Sequence, residues 1–111
     1  MSCIFCAIAA GEIPATIVYE SDQVVAFRDL HPVAPVHVLV IPRRHYANVV
    51  EMSADASTTA EVLAAVTAVS RSEGVDTGFR LVFNTGRDAG QEVEHVHAHV
   101  IGGRRMDWPP G

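Results

Sequence analysis

Short apolar runs separated by polar turns fill the first forty or so residues of the chain. Residues 18–20 and 24–29 are rich in β-branched and aromatic side chains and predict two strands, with the polar residues 21–23 as the turn between them. Residues 36–41 form a third apolar run that ends at Pro42. Three successive strands with short connections favour an antiparallel meander.

Helical spacing of apolar residues marks two other segments. Residues 4–10 predict one or two helical turns, which end at Gly11. A longer helix is predicted to start at a cap, Ser53 or Asp55, and to run to about Ser72. The apolar positions of its predicted buried stripe are Val62, Leu63, Val66 and Val69.

The last third of the chain contains two further candidate strands. Residues 79–84 predict a fourth strand and residues 95–101 a fifth, with a glycine-containing loop between them. Strands in runs on either side of one long helix favour an α+β fold with a mainly antiparallel sheet of five strands. The sequence has no repeat or long linker, so we expect a single domain over residues 1–111.

The charge and the N-terminal sequence narrow the class of protein. Eight arginines, no lysine and thirteen acidic residues give a net charge of −5, which argues against a nucleic acid polymer as partner but leaves a mononucleotide open. The N-terminal sequence predicts neither a signal peptide nor a membrane span, so we expect a cytoplasmic protein. In that reducing compartment, Cys3 and Cys6 are expected to be thiols or metal ligands.

Three of the six histidines alternate with apolar residues in the sequence HVHAHV. In a strand, His95, His97 and His99 share one face at a spacing of roughly 7 Å, and the residues between them face the core. The pattern therefore predicts three exposed imidazoles in a row, which form a solvated polar face, a metal site or a catalytic group. No single ion spans the row, so at most two of the three bind the same metal.

The loop of residues 84–92, before the histidines, has a composition suited to an anion. Gly86 and Gly90 allow backbone N–H groups to turn toward a phosphate. Most such loops are only turns, but the imidazoles that follow favour phosphate chemistry in which a histidine attacks phosphorus.

The sequence HVHAHVI of residues 95–101 matches the pattern His-φ-His-φ-His-φ-φ, with φ apolar, and resembles the motif of the histidine-triad (HIT) family of nucleotide hydrolases and transferases. The resemblance covers nearly the whole chain, through CIFCAIAAGEIP, VVAFRDLHPVAPVHVLVIPRRH, FRLVFNTGRDAGQEVEHVHAHVIGG and GGRRMDWPPG. These segments look like the Hint branch, whose members hydrolyse purine nucleoside phosphoramidates. The resemblance implies a HIT-like fold whose sheet continues across a homodimer.

The resemblance assigns the catalytic role to the triad. His97 would be the nucleophile that forms a covalent nucleotidyl-imidazole intermediate, which water then hydrolyses. His99 would contact the phosphoryl oxygens, and His95 completes the triad. The backbone N–H groups that meet the developing charge would be those of Gly90, Gln91 and Glu92.

The resemblance also implies the remaining contacts of the nucleotide. Asn84 would lie near the ribose and phosphate, and Asp29 would accept hydrogen bonds from the ribose hydroxyls. The apolar walls around the purine would be Ile4, Phe5, Ile8 and Phe27, for which ordinary core packing is an equal alternative. Glu92 stands where several Hint relatives have serine. Either it points away and only its backbone N–H serves, which we favour, or it stays protonated and passes a proton to the leaving amine.

The sequence Cys3-Ile4-Phe5-Cys6 is by itself ambiguous between a redox pair, half of a metal site and two small buried side chains. By the resemblance, some bacterial HIT proteins bind zinc with this sequence, and the ligands here would be Cys3, Cys6, His45 and His95. Two sulfur and two nitrogen ligands close a structural zinc site, so zinc would brace the triad, and the chemistry itself would need no cofactor. Without zinc, His45 and His95 are expected to hydrogen-bond each other.

Other residues have less specific expectations. His31 and His37 are expected to be surface or packing residues. Trp108 needs a packing partner and, by the resemblance, would reach toward the other subunit's site.

The expected function is hydrolysis of purine nucleoside 5′-phosphoramidates to AMP-type products by a homodimer. Within the enzyme class, the alternative is a dinucleoside polyphosphate hydrolase or nucleotidyl transferase of the same family. Outside it, the alternative is a nucleotide-binding or scaffold protein that is not a physiological catalyst. A zinc hydrolase that uses the histidines as catalytic ligands is a third possibility.

Overall fold

The computed structural model describes residues 3–111, which form an antiparallel five-stranded sheet with helices on both faces. The strands are β1 (Ile17–Glu20), β2 (Val24–Arg28), β3 (Val36–Pro42), β4 (Phe79–Val82) and β5 (Ala98–Gly102), in the spatial order β1-β2-β3-β5-β4. The helices are α1 (Ile4–Ala9), α2 (Val49–Met52) and α3 (Ala56–Ser72), with a 3₁₀ turn at Arg87–Ala89. The predicted α+β fold is confirmed. Within residues 3–111, no helix has the length and apolarity needed to cross a membrane.

β2 and β3 are buried on both faces of the sheet, which explains their continuous apolar sequences. In β3, Val38 and Val40 pack on the face covered by α3. Leu39 and Ile41 point to the opposite face and pack with Phe5 of α1. Because α1 has only six residues, it covers that second face incompletely and leaves space for a cleft beside it.

The long helix α3 begins and ends where its sequence provides caps. Asp55 accepts a hydrogen bond from the N–H of Thr58 at 3.1 Å and another from the hydroxyl of Tyr46 at 2.6 Å. These hydrogen bonds, led by that of Tyr46, lower the pKa of Asp55 to about 2, so the cap remains a carboxylate at neutral pH. The helix ends at Ser72 and is followed by Gly74, whose φ of 74° is accessible to glycine at little cost.

The predicted buried stripe of α3 is correct except at one position. Val62, Val66 and Val69 are at most 4% exposed, whereas Leu63 is 44% exposed and its predicted burial is wrong. Adjacent residues point about 100° apart around a helix, so Leu63 turns away from the sheet and the buried Ala65 lies on the packed side.

The predicted fifth strand starts too early. β5 begins at Ala98, so His95 and His97 lie before it and only His99 belongs to the strand. The reason is backbone pairing: the N–H of Val96 donates to the carbonyl of Tyr46 at 2.7 Å instead of joining the β-ladder. Two smaller differences concern β4 and α2. β4 ends at Val82, whereas the predicted strand ran to residue 84, and the short helix α2 was not predicted.

Candidate functional site

A cleft of about 340 Å³ opens on the α1 face of the sheet. Its apolar end is formed mainly by α1 and β2, and its polar end by the triad and the loop before it. The predicted site residues that line it are Ile4, Phe5, Ile8, Phe27, Asp29, Asn84, Gly90, Glu92, His97 and His99. Gln91 and His95 are not among the lining residues. A cleft with one apolar and one polar end suits a ligand that joins an aromatic base to a charged group.

The three triad imidazoles are not the exposed row that the alternation predicts. His95 is fully buried and His97 is 8% exposed, because α1 and the segment around Tyr46 cover them. Phe5 lies edge-on to both rings, with centroids 6.0 Å from His95 and 5.2 Å from His97. The prediction of exposure is therefore wrong, and each imidazole has its own environment.

The ring of His97 is oriented by a backbone carbonyl. Its Nδ1–H donates to the carbonyl oxygen of His95 at 2.8 Å. A carbonyl only accepts hydrogen bonds, so Nδ1 carries the proton and the lone pair of a neutral ring lies on Nε2. His97 lines the cleft, and this tautomer gives it a nucleophilic nitrogen.

A second hydrogen-bonded chain fixes the tautomer of His99. The N–H of Val33 donates to Nδ1 of His37 at 3.2 Å, so the proton of a neutral His37 lies on Nε2. That Nε2–H donates to Nδ1 of His99 at 2.9 Å. The remaining proton of His99 is then on Nε2, where it can be donated to an anionic ligand.

Both imidazoles of this chain are neutral at physiological pH. Burial, together with the smaller effects of neighbouring His97 and His37, lowers the pKa of His99 to about 4, against the opposing effect of Asp29. Burial also lowers the pKa of His37, again opposed by Asp29. Two neutral rings are required for the directional hydrogen bonds described above.

His37 is a packing residue, as predicted, but its contact with the triad was missed. It is 6% exposed and lies on β3, where it pairs opposite Ile101, while Leu39 pairs opposite His99. His37 and His99 are therefore diagonal neighbours on one face. One feature of the sequence could have indicated this contact: His37 is the one imidazole in an otherwise apolar run, and such a run predicts a strand that is buried on both faces.

Asp29, His37 and His99 have the composition of a metal site, with ligand atoms within 4.8 Å of one another. The hydrogen bonds favour a different reading. Nδ1 of His37 accepts from a backbone N–H, and its Nε2–H is used by His99. Asp29 accepts from the N–H of His31 at 2.8 Å, and its second oxygen lies 3.4 Å from Nε2 of His37. We interpret the group as a hydrogen-bonded chain that orients His99 and not as a metal site.

The predicted zinc ligands do converge. One ligand atom from each of Cys3, Cys6, His45 and His95 lies within 4.8 Å of the others. Nδ1 of His95 is 3.4 Å from Sγ of Cys3, 3.5 Å from Sγ of Cys6 and 3.1 Å from Nδ1 of His45. The last distance also fits the hydrogen bond expected without zinc. Two sulfurs and two nitrogens around one point fit a closed tetrahedral site.

His95 is suited to the role of a ligand by its tautomer. Its Nε2–H donates to the carbonyl of Pro42 at 2.8 Å, which leaves the Nδ1 lone pair directed at the cysteines. Burial lowers the pKa of His95, and the hydrogen bond to Pro42 opposes this shift. Burial raises the pKa of Cys6, as does its neighbour Cys3, so a metal must displace a proton there.

The loop before the triad uses much of its own hydrogen-bonding capacity. The N–H of Gly90 donates to the carbonyl of Arg87 at 3.0 Å, and that of Gln91 to the carbonyl of Gly86 at 3.1 Å. Those two N–H groups close the 3₁₀ turn, which corrects the expectation that they face a phosphate. Within residues 3–111, the N–H of Glu92 has no acceptor and remains free for a ligand.

The side chains of this loop have similar structural roles. The amide of Gln91 donates to the carbonyls of Ala47 at 2.6 Å and Val93 at 3.0 Å, so it braces the loop and is a poor candidate for direct substrate binding. Asn84 lines the cleft and donates to the carbonyl of Ala89 at 2.9 Å, which leaves its carbonyl oxygen as the free group. The side chain of Glu92 is exposed at the cleft and, within residues 3–111, has no ion-pair partner.

The lowered pKa of His99 predicts a pH dependence of stability. The unfolded histidine takes a proton near pH 6.5, whereas the folded one does so at about 4, so between these values the unfolded state binds more protons. We expect the free energy of unfolding to be unaffected by His99 above pH 6.5 and to fall as the pH drops from 6.5 to 4. The measurement is urea unfolding at pH 7.5 and pH 5. A chelator is present in both cases, so that loss of a bound metal at low pH does not contribute to the difference. His99→Gln should show a smaller fall, and equal falls in both proteins would contradict the assignment.

Comparison with known proteins gives a consistent result. The HIT domain model matches residues 10–106. A 14 kDa zinc-binding protein of Brassica juncea is 44% identical over 111 residues, which cover 97% of this chain and 98% of the relative. An adenylylsulfatase, HINT1 of Arabidopsis thaliana, is 42% identical over 113 residues, which cover 97% of this chain and 76% of the relative.

Solved structures agree with the sequence relatives. The crystal structure of a HIT family hydrolase from Legionella pneumophila has a TM-score of 0.94 at 46% identity and covers 99% of this chain and 100% of its own. A histidine triad nucleotide-binding protein from Candida albicans has a TM-score of 0.84 at 33% identity, with 97% of this chain and 83% of its own covered. The chain therefore belongs to the HIT family, as a member of its Hint branch.

Proposed function

We propose that this protein hydrolyses purine nucleoside 5′-phosphoramidates through a covalent intermediate on His97. The observation that supports this most directly is the tautomer of His97, whose Nδ1–H is held by the His95 carbonyl so that Nε2 carries the lone pair in the cleft. The name of the Legionella relative supports a hydrolase, and that of the Candida protein supports a nucleotide ligand.

The first step uses the lone pair of His97. Nε2 attacks the α-phosphorus, a P–N bond to the ring forms, and the P–N bond to the leaving group breaks as its nitrogen takes up a proton and departs as the amine. Nε2–H of His99 donates to a phosphoryl oxygen, and the free N–H of Glu92 meets charge on the same group. Water then attacks the phosphorus, releases the nucleoside monophosphate and restores the neutral imidazole.

The nucleoside is proposed to bind toward the other end of the cleft. Its purine packs on the apolar walls of α1 and β2, where Phe5 and Phe27 meet edge-on at 5.4 Å. Asp29 is half-buried at the cleft and, among the described residues, accepts one short hydrogen bond, from the N–H of His31, so its carboxylate retains acceptor capacity for ribose hydroxyls. Zinc, when bound, would supply a structural cross-link between α1 and the segment before β5, and the proposed steps are performed by the histidines.

A homodimer is proposed as the functional unit. β4 is at one edge of the sheet, and its Leu81 is 38% exposed, so the strand can pair with a second copy. Arg80 of the same strand donates to the carbonyls of Asp107 and Pro110 and holds the C-terminal segment beside this edge. Trp108 in that segment is 85% exposed, which supports its predicted contact with a second subunit.

The leaving group is the feature that a substrate comparison tests. Among the described residues that line the cleft, Arg28 is the only arginine or lysine, and Glu73 holds it through two hydrogen bonds. An anionic leaving group would thus meet the exposed carboxylate of Glu92, with no unpaired arginine or lysine among the described residues that line the cleft. We expect kcat/KM for adenosine 5′-phosphoramidate to exceed that for adenylyl sulfate and diadenosine tetraphosphate by at least about 10-fold. This ratio corresponds to a difference of about 1.4 kcal/mol in the activation free energy. A preference for adenylyl sulfate, the substrate class in the name of the Arabidopsis relative, would overturn the proposal.

A further inference from the structure

The helix α1 connects the cysteine pair to the cleft. Cys3 is its N-cap, and Sγ of Cys3 accepts the N–H of Cys6 at 3.4 Å. Both cysteines are free thiols and half-buried. Ile4 and Phe5, the two residues between them, line the cleft. A change of state at the sulfurs therefore acts on the wall of the cleft through a segment of only four residues.

The geometry of the pair is that of an oxidisable dithiol. Two cysteines separated by two residues at the start of a helix are the arrangement used by thiol–disulfide oxidoreductases. The two sulfurs lie within 4.8 Å of each other. A disulfide requires about 2.05 Å, so both side chains must turn toward each other and away from His45 and His95. In the disulfide, neither sulfur is a thiolate, which is the form that binds a metal.

We propose that Cys3 and Cys6 are an oxidative modification site whose disulfide weakens nucleotide binding in the cleft. The oxidant is a peroxide such as hydrogen peroxide. Two thiolates lose two electrons and form one S–S bond, and hydrogen peroxide takes up these electrons with two protons to give two waters. Any metal held by the thiolates is released as a divalent cation. The inference rests on the proposed function, since its readout is nucleotide affinity.

Two contacts transmit the change. Sγ of Cys3 and Sγ of Cys6 meet Nδ1 of His95, whose backbone carbonyl in turn orients the ring of His97. The ring of Phe5 lies edge-on to His97 with centroids 5.2 Å apart. When the sulfurs leave His95, both the position of Phe5 and the orientation of His97 lose support.

The test compares three states of the full-length protein: zinc-loaded and reduced, zinc-free and reduced, and treated with hydrogen peroxide. Intact mass and a colorimetric zinc indicator measure disulfide formation and zinc release, and calorimetry measures the affinity for AMP. We expect the peroxide-treated protein to lose two hydrogens, to release its zinc and to bind AMP about 10-fold more weakly, within the usual range of coupling between sites. Dithiothreitol followed by zinc should restore the affinity.

The control is Cys3→Ser combined with Cys6→Ser, which retains the three methionines as other targets of peroxide. Its AMP affinity should not respond to peroxide, and circular dichroism checks that it folds. If the native disulfide form binds AMP as tightly as the reduced form, or if no disulfide forms, this inference is overturned and the proposed function stands. If the reduced, zinc-loaded protein does not bind AMP, the proposed function is overturned and the inference with it.

Discussion

Replacement of His97 by alanine is expected to lower turnover of an adenosine phosphoramidate by on the order of 10⁶-fold, the size of the loss when a covalent nucleophile is removed. Among the described residues, neither of the other two triad imidazoles offers a replacement lone pair in the cleft. Nδ1 of His99 is occupied by the Nε2–H of His37, and Nε2 of His95 is bonded to the carbonyl of Pro42, outside the cleft. The loss should therefore appear mainly in kcat, while the affinity for AMP changes little.

The measurement is intact-protein mass spectrometry after rapid mixing with the substrate. The native protein should show a transient increase by one nucleotidyl group together with release of AMP, and His97→Ala should show neither. His31→Ala is the matched control, because it removes an exposed imidazole at the cleft that has no part in the hydrogen-bonded chains of the triad. An adduct that persists in His97→Ala would assign the nucleophile to another residue. A native protein that binds AMP but forms no adduct and releases no product would favour the nucleotide-binding or scaffold alternative.

Removal of zinc is expected to lower the melting temperature by on the order of 10 °C. A ligand present at about 1,000 times its Kd stabilises the folded state by roughly 4 kcal/mol, and each kcal/mol shifts the melting temperature of a domain of this size by a few degrees. The four predicted ligands lie in α1, the segment after β3 and the segment before β5, so loss of a bound zinc would free three parts of the chain that surround the triad. The experiment is a thermal melt with and without a chelator, with metal content determined by mass spectrometry.

The closed ligand set predicts a specific relation between stability and activity. Well below the melting temperature, the zinc-free protein should retain substantial turnover, because His97 is not a ligand of this group. His45→Gln, which changes the one exposed ligand, should melt at the temperature of the zinc-free native protein and should not respond to chelator. Immediate loss of turnover on chelation without a change in melting temperature would instead support a zinc hydrolase.

The sequence allowed the strands and the long helix to be predicted because their signals are local. β2 and β3 are apolar at successive positions since both of their faces are covered, and α3 carries its own cap in Asp55. The exposure of Leu63 was mispredicted because an apolar residue beside the buried stripe gives the same pattern whether or not anything packs on it. Propensity alone does not resolve such a position.

The site depended on information that is not local. The alternation of the triad correctly placed Val96 and Val100 in the core, but the burial of His95 and His97 comes from α1 and from the segment around Tyr46. The convergence of the cysteines on His45 and His95 followed only from the resemblance. The contact of His37 with His99 required the pairing register of β3 and β5, which neither strand's sequence specifies by itself.

The direction of the hydrogen bonds behind His99 has a consequence for the proton that the leaving amine of the proposed reaction takes up. The chain starts at the N–H of Val33, passes through His37 and ends at His99. A backbone amide does not release its proton at neutral pH, so this chain of hydrogen bonds orients His99 but does not deliver protons from Val33 to it. Under the proposed function, the proton that the departing amine takes up would then be supplied through the mouth of the cleft, where the site meets bulk water. Turnover should accordingly quicken with small acidic buffers that diffuse into the mouth.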